Sequence, residues 1–112
     1  RRHFILGHYR PADGSVSPFF LLQAKDADLC FPLVSPDLLA SDYRLAPPPE
    51  LLAKLGAAAP EELAVFAVVT LRDRLEQITV NLQGPILLNP ASGLGLQFVA
   101  EQFPLRYPLI RP

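Results

Sequence analysis

Few side chains in this sequence are of types that do chemistry, and their spacing sets tight limits. His3 and His8 stand five apart in an apolar segment. On an extended backbone an odd separation sends them to opposite faces. They cannot share a metal there, and no cysteine or further histidine completes a zinc set. The single cysteine, Cys30, lies between Leu29 and Phe31. A lone thiol in an apolar run reads as a small buried hydrophobe, and nothing local marks an activated nucleophile. It excludes an intrachain disulfide and fits a reducing compartment. Asp26 and Asp28 leave an extended backbone on the same side. Paired carboxylates can do acid–base work or hold a divalent cation, but between two apolar runs this pair reads first as a solvated turn. Ser92-Gly93-Leu94-Gly95 lacks the lysine and the strand-to-helix context of a phosphate loop, and reads as a hairpin turn. Of the adjacent rings Phe19 and Phe20, one points inward and one outward. The outward ring could stack a base. Without basic neighbours it reads as contact surface for a protein, or as a ring covered by another strand.

The bulk numbers narrow the classes further. The chain has 112 residues, half of them hydrophobic, a formal net charge of −1 and no run of Lys or Arg. Phosphate neutralisation needs a concentrated basic patch, so direct nucleic-acid binding is disfavoured. No apolar run approaches the ~20 residues of a membrane span, and no signal peptide is visible. The chain opens Arg1-Arg2 without an initiator Met, which suits a fragment or a processed product. No motif calls for a cofactor or a small-molecule substrate. The residues alone therefore favour a protein-binding module over an enzyme, with a small barrel that binds single-stranded nucleic acid as the alternative.

The elements that must position these residues are mostly strands. Leu63–Arg72 is almost continuously apolar and rich in β-branched residues, as in a strand buried on both faces. Residues 77–83 alternate, with Ile78, Val80 and Leu82 against Gln77, Thr79, Asn81 and Gln83. Asp73-Arg74 joins the two as an antiparallel hairpin, and Pro85 turns a corner before Ile86. The expected core is Val65, Phe66, Val68, Val69, Ile78, Val80 and Leu82. Further strands are expected at 3–9, 19–25, 29–34 and 94–101. Pro32 marks an edge, a bulge or a short strand. Pro36 opens a helical turn, and residues 50–56 form a short helix with Glu50 paired to Lys54 and Gly56 as its stop. The tail 103–109, twice interrupted by proline, can cap a sheet end but cannot be a central strand. The expected fold class is all-β, mostly: a small antiparallel β-barrel-like domain, one unit over 1–112, with one or two short inserted helices.

The stretch from Phe19 to Pro36 resembles the FliW family of flagellar assembly factors. An aromatic strand ends in Leu22-Gln23, an acidic turn follows at Asp26-Ala27-Asp28-Leu29, then a strand containing Phe31, then Ser35-Pro36. Asp42-Tyr43, Leu55-Gly56, Pro60-Glu61-Glu62 and Val69-Thr70 fall in the family's order. Thr79-Val80-Asn81-Leu82-Gln83-Gly84-Pro85-Ile86 is similar to its Thr-Val-Asn-Leu-x-Ala-Pro-Ile, with Asn89 closing the segment. Gly95, Gln97 and Arg106-Tyr107-Pro108-Leu109 resemble its C-terminal signature. Ala27, Gly84 and Pro32 depart from the usual residues. The family opens with further strands before the position of Phe4, so the domain is expected to lack its first strands.

The resemblance implies a cytoplasmic, non-enzymatic regulator without cofactors. It implies binding to CsrA, relieving repression of flagellin translation, and to flagellin itself, with no direct contact to nucleic acid or membrane. The polar positions within the family-like segments are the candidate partner contacts: Asp26, Asp28, Asp37, Asp42, Tyr43, Asn81 and Asn89. The four aspartates, close in sequence, are expected to form an acidic patch facing basic CsrA.

Overall fold

A computed structural model describes residues 3–110. Seven strands form one antiparallel sheet: β1 Phe4–His8, β2 Phe19–Ala24, β3 Cys30–Val34, β4 Ala64–Thr70, β5 Thr79–Asn89, β6 Leu94–Gln97 and β7 Tyr107–Pro108. The order is β1-β2-β3-β4-β5-β6, with β7 pairing the outer edge of β5. Each strand from β1 to β6 thus pairs with its neighbour in sequence. The meander curls into an open half-barrel, so the expected β-barrel-like class holds. The expected central hairpin is β4–β5, closing at Thr70 opposite Thr79. Its link is longer than Asp73-Arg74 and includes a 3-10 turn, Leu75–Gln77. Arg74 and Glu76 pair there at 2.8 Å, but both are largely exposed, so the pair adds little.

Pro85 does not turn a corner. It lies inside β5, an eleven-residue strand, at a register shift. Phe66 faces Ile86 and Val68 faces Asn81, so residues 82–85 bulge out opposite the single residue Ala67. A bulge takes backbone groups out of the ladder, and buried ones must find other partners. Here each one does. Leu82 N–H donates to Pro104 O, and the Gln83 and Pro85 carbonyls accept from the N–H groups of Ala100 and Phe98. The N–H groups of Gln83 and Gly84 both donate to Asn81 Oδ1, at 3.0 and 2.8 Å. Leu82 O accepts from the Tyr43 hydroxyl at 2.6 Å, and Gly84 O from Gln97 Nε2 at 2.9 Å. Pro85 has no N–H to satisfy.

Pro32 is accommodated differently. Ala24 N–H donates to Leu29 O, which sets the alternation of the β2–β3 ladder. The nitrogen of Pro32 then points toward β4, and pairing with β4 is confined to Leu33 and Val34.

Among the described residues, segments outside the strands cover one face of the sheet. Val34, Ala67, Val69, Val80 and Leu82 form a buried cluster with Tyr43, and Leu39, Leu45, Phe103, Tyr107 and Leu109 pack against it. Those covering residues come from the 35–48 segment and from the tail, which fulfils its expected capping role. Of the expected core, Phe66, Val69, Val80 and Leu82 are buried, whereas Val65, Val68 and Ile78 are half-buried. Helix α1, Pro49–Lys54, sets Leu52 against the body of the protein, followed by the buried Leu55. Gly56 stops it at φ +71°, a conformation that favours glycine. Ala57 N–H then bonds back to Leu52 O. The expected Glu50–Lys54 ion pair does not form: the one salt bridge among the described residues is Arg74–Glu76.

Cys30 is exposed, a correction to its reading as a buried hydrophobe. It opens β3 opposite Gln23, at the mouth of the hairpin, where no element covers it. No helix among the described residues is long and apolar enough to cross a membrane.

Candidate interaction surface

The four aspartates are all exposed, but they do not form one patch. Asp26 and Asp28 lie in the β2–β3 turn, whereas Asp37 sits in the 3-10 turn Pro36–Leu38 beyond the far end of β3. Antiparallel pairing fixes the two at opposite ends of that strand, roughly 20 Å apart at the rise of an extended chain. Proximity in sequence fails as a guide because an extended strand separates its ends. Asp37 also borders a cleft of about 480 Å³ that includes Pro36, Arg44 and Pro47. No group of His, Cys, Asp and Glu side chains among the described residues could hold a metal ion.

Tyr43 and Asn89 are corrections to their reading as surface contacts, because both are buried. The Tyr43 ring lies 4.2 Å from that of Phe103, and its hydroxyl is spent on Leu82 O. Burial pushes its pKa up to about 12. Asn89 Nδ2 donates to Leu55 O at 2.8 Å, and its Oδ1 accepts from Ala91 N–H at 3.0 Å. Ser92 Oγ donates to the same Leu55 carbonyl. Asn89 therefore ties the β5–β6 turn to the end of α1. Asn81 is half-buried and its Oδ1 holds the bulge. All three residues hold backbone through the side-chain atoms named. The sequence carried a signal of this: asparagine before Gly-Pro inside an apolar strand marks a bulge whose freed N–H groups a side-chain oxygen can take.

The sequence reading missed the open face. Strand pairing puts Phe4, Leu6 and His8 of β1, Phe20 and Leu22 of β2, and Phe31 and Leu33 of β3 on the side opposite the buried cluster. Val68, Phe66, Ile86 and Leu88 continue that side. All of these but His8 and Phe20 line an open, mainly apolar trough of about 730 Å³. At its border Phe20 stacks between His8, with ring centroids 4.9 Å apart, and Phe66, at 5.1 Å. His8 Nε2 bonds to Ser17 O at 2.7 Å and so holds the β1–β2 loop. Contrary to a simple split, both rings of the Phe19-Phe20 pair are half-buried. Phe19 joins the covered core and Phe20 lies on the opposite side of the sheet.

Comparison with known proteins places this architecture. A protein described as the flagellar assembly factor FliW from Caldicellulosiruptor saccharolyticus is 35% identical over 94 residues, covering 81% of this chain and 62% of its own length. One of the same description from Treponema denticola is 38% identical over 92 residues, covering 81% of this chain and 63% of its own. The chain thus spans less than two thirds of the length of these relatives. A crystal structure of the flagellar assembly factor FliW superposes with a TM-score of 0.77 at 24% identity, covering 94% of this chain and 71% of that one. That likeness establishes the shared fold. The family model described as FliW protein matches residues 2–109, nearly the whole sequence, and the chain therefore belongs to the FliW family of flagellar assembly factors.

Proposed function

We propose that this protein is a non-enzymatic, cytoplasmic regulator of flagellar assembly that works by exchanging protein partners. It binds CsrA, relieving repression of flagellin translation, and it binds flagellin, which releases CsrA. The observation that carries the reading is the match of the family model over residues 2–109. A net charge of −1 agrees with a protein that controls RNA through another protein rather than by neutralising phosphates. Titration calorimetry with purified CsrA and flagellin, on the full-length protein, tests it. Two saturable complexes, with flagellin displacing CsrA, are expected; absence of both would sink the proposal.

Within that reading, the acidic residues are the proposed CsrA contacts, now as two separate surfaces: Asp26 with Asp28, and Asp37 with Asp42. Tyr43, Asn81 and Asn89 act indirectly, by holding the backbone on which these surfaces stand. Reversing the charge of one pair at a time separates them. The pair that meets a basic partner should slow association, with an effect that fades as salt is raised. Unchanged affinity and salt dependence in both double variants would remove the acidic contacts from the proposal.

A further inference from the structure

We propose that the open edge of β4 at residues 63–65 is a strand-addition site, and that its occupant is an extended, uncharged peptide segment of a partner protein. The sheet has a notch in its interior. Strand β4 runs from Ala64 to Thr70, but β3 pairs with it only through Leu33 opposite Val68 and Val34 opposite Ala67. In that register Pro36 would face Val65. Pro36 has no N–H, and its carbonyl accepts from the N–H groups of Leu39 and Ala40 instead. The chain turns away there, and the first part of β4 has no neighbour on its β3 side.

Alternation fixes which backbone groups face the notch. Ala24 N–H bonds to Leu29 O, so Val34 bonds toward β4 and Ala67 toward β3. Two residues earlier, Val65 turns its N–H and C=O the same way. The β5 side agrees. Pro85 O and Asn89 O accept from the N–H groups of Phe98 and Gly93, which leaves Ile86 and Leu88 to bond Phe66 and Ala64. Leu63 is extended too, at φ −97° and ψ 139°. Its N–H is spent on Pro60 O, and its carbonyl falls on the notch side with Val65. Among the described residues nothing bonds to Val65 N–H, Val65 O or Leu63 O.

Those three groups stand at ladder spacing and select the occupant. An antiparallel strand on the line of β3 donates an N–H to Val65 O, accepts from Val65 N–H and, two residues on, donates to Leu63 O. Main-chain bonds of this kind hold an added strand, and flanking pockets read its side chains. The notch is the cleft of about 480 Å³ that Asp37 borders. Val65 and Leu87 line it from the covered side of the sheet, Phe20 and Phe66 from the other, as a gap in the sheet plane requires. Its charged lining residues are Asp37 and Arg44, which are of opposite sign, so the fitting segment is uncharged and carries apolar side chains on both faces. Residues 35–37 form the opposite wall. The space is one strand wide, which suits a single segment rather than the folded edge of a second copy.

Titration of the isotope-labelled 112-residue chain with the peptide acetyl-Thr-Leu-Val-Leu-Thr-amide, read by NMR, tests the proposal. Saturable shifts at Leu63, Val65 and Phe66 are expected, with slowed amide exchange at Val65 and an affinity that salt barely changes. N-methylation of the central Val of the peptide keeps its side chains and removes the N–H that meets Val65 O; it should weaken binding about tenfold. Val65→Pro removes the donor on the protein and should do the same, while amide exchange at Ala64 and Phe66 reports that β4 stays paired with β5. Where that variant does not fold, the N-methylated peptide decides. No saturable binding up to millimolar peptide overturns the proposal, as does equal binding of the N-methylated peptide or shifts confined to the trough. Protection of Val65 that grows with protein concentration in the absence of peptide also overturns it, by making a second copy the occupant. The site does not depend on which proteins the chain regulates: peptide binding without a CsrA complex leaves it standing, and a CsrA complex without peptide binding removes it alone.

Discussion

The two faces of the sheet are built from the same kinds of residue and end in different states. On one, Val34, Ala67, Val69, Val80 and Leu82 are sealed beneath the 35–48 segment and the tail. On the other, Phe4, Leu6, Leu22, Phe31, Ile86 and Leu88 line an open trough. Side-chain hydrophobicity does not distinguish them: elements outside the sheet seal the first, whereas on the second Leu33 and Phe66 are buried and the residues around them stay partly open. Polar side chains follow the same division. Tyr43 and Asn89 are buried on or beside the covered face because backbone carbonyls there need donors, and all four aspartates remain at the surface. The difference shows how one apolar sheet can be sealed as a core on one side and keep an open apolar trough on the other.

Substitutions can break or sharpen that contrast. The largest effect is expected from Leu82→Ala, which opens a cavity at a fully buried position and should cost about 2–5 kcal/mol in urea unfolding. Leu6→Ala on the open side, at 36% exposure, should cost under about 1 kcal/mol. Equal losses would mean that the trough is covered in solution. Asn89→Ala should follow at about 1–3 kcal/mol, because it leaves a buried Leu55 carbonyl with only the Ser92 hydroxyl. Hydrogen exchange should then quicken at the end of α1 and in the β5–β6 turn together.

Tyr43→Phe keeps the ring and orphans Leu82 O, for a loss of about 1–2 kcal/mol. It also tests a pH effect whose sign is fixed. The folded protein holds Tyr43 protonated up to about pH 12, while the unfolded chain releases that proton near pH 10. Stability should therefore fall as pH rises from about 10 to 12, and the Phe variant should lose that part of the fall. Gly84→Ala should have a smaller effect than the substitutions at Leu82 and Asn89. Its new methyl carbon would come within 2.7 Å of Gln97 Nε2 and 3.0 Å of Asn81 Nδ2. Gln97 is exposed at the sheet border and can swing aside, losing its bond to Gly84 O. About 1 kcal/mol is expected, and much less when Gly84→Ala is made in a Gln97→Ala background. A non-additive double-mutant cycle would verify the contact.

Much of this was legible in one dimension. Alternation in 77–83 and the apolar run 63–72 placed the central hairpin, because a strand's period of two is imposed by backbone geometry whatever surrounds it. Gly56 marked the end of α1 for the same local reason. The interrupted tail was correctly kept out of the sheet centre, since proline removes ladder donors. The family's order of short motifs was also present in the string. Pro85 misled because a proline in a central strand is tolerated only at a bulge, and a bulge is defined by the opposing strand.

What only the tertiary structure decided is where the chain returns. Tyr43 looked like a surface aromatic until the bulge at 82–85 brought a carbonyl to its hydroxyl. Asn89 looked like a surface contact until the end of α1 was set beside it. The aspartates looked like one patch until β3 ran straight between them. Local propensity acts over a few residues, so sequence determined the strands, turns and family signature. Burial, shared surfaces and free edges depend on contacts between residues tens of positions apart, and those were settled by which face the loops came back to cover.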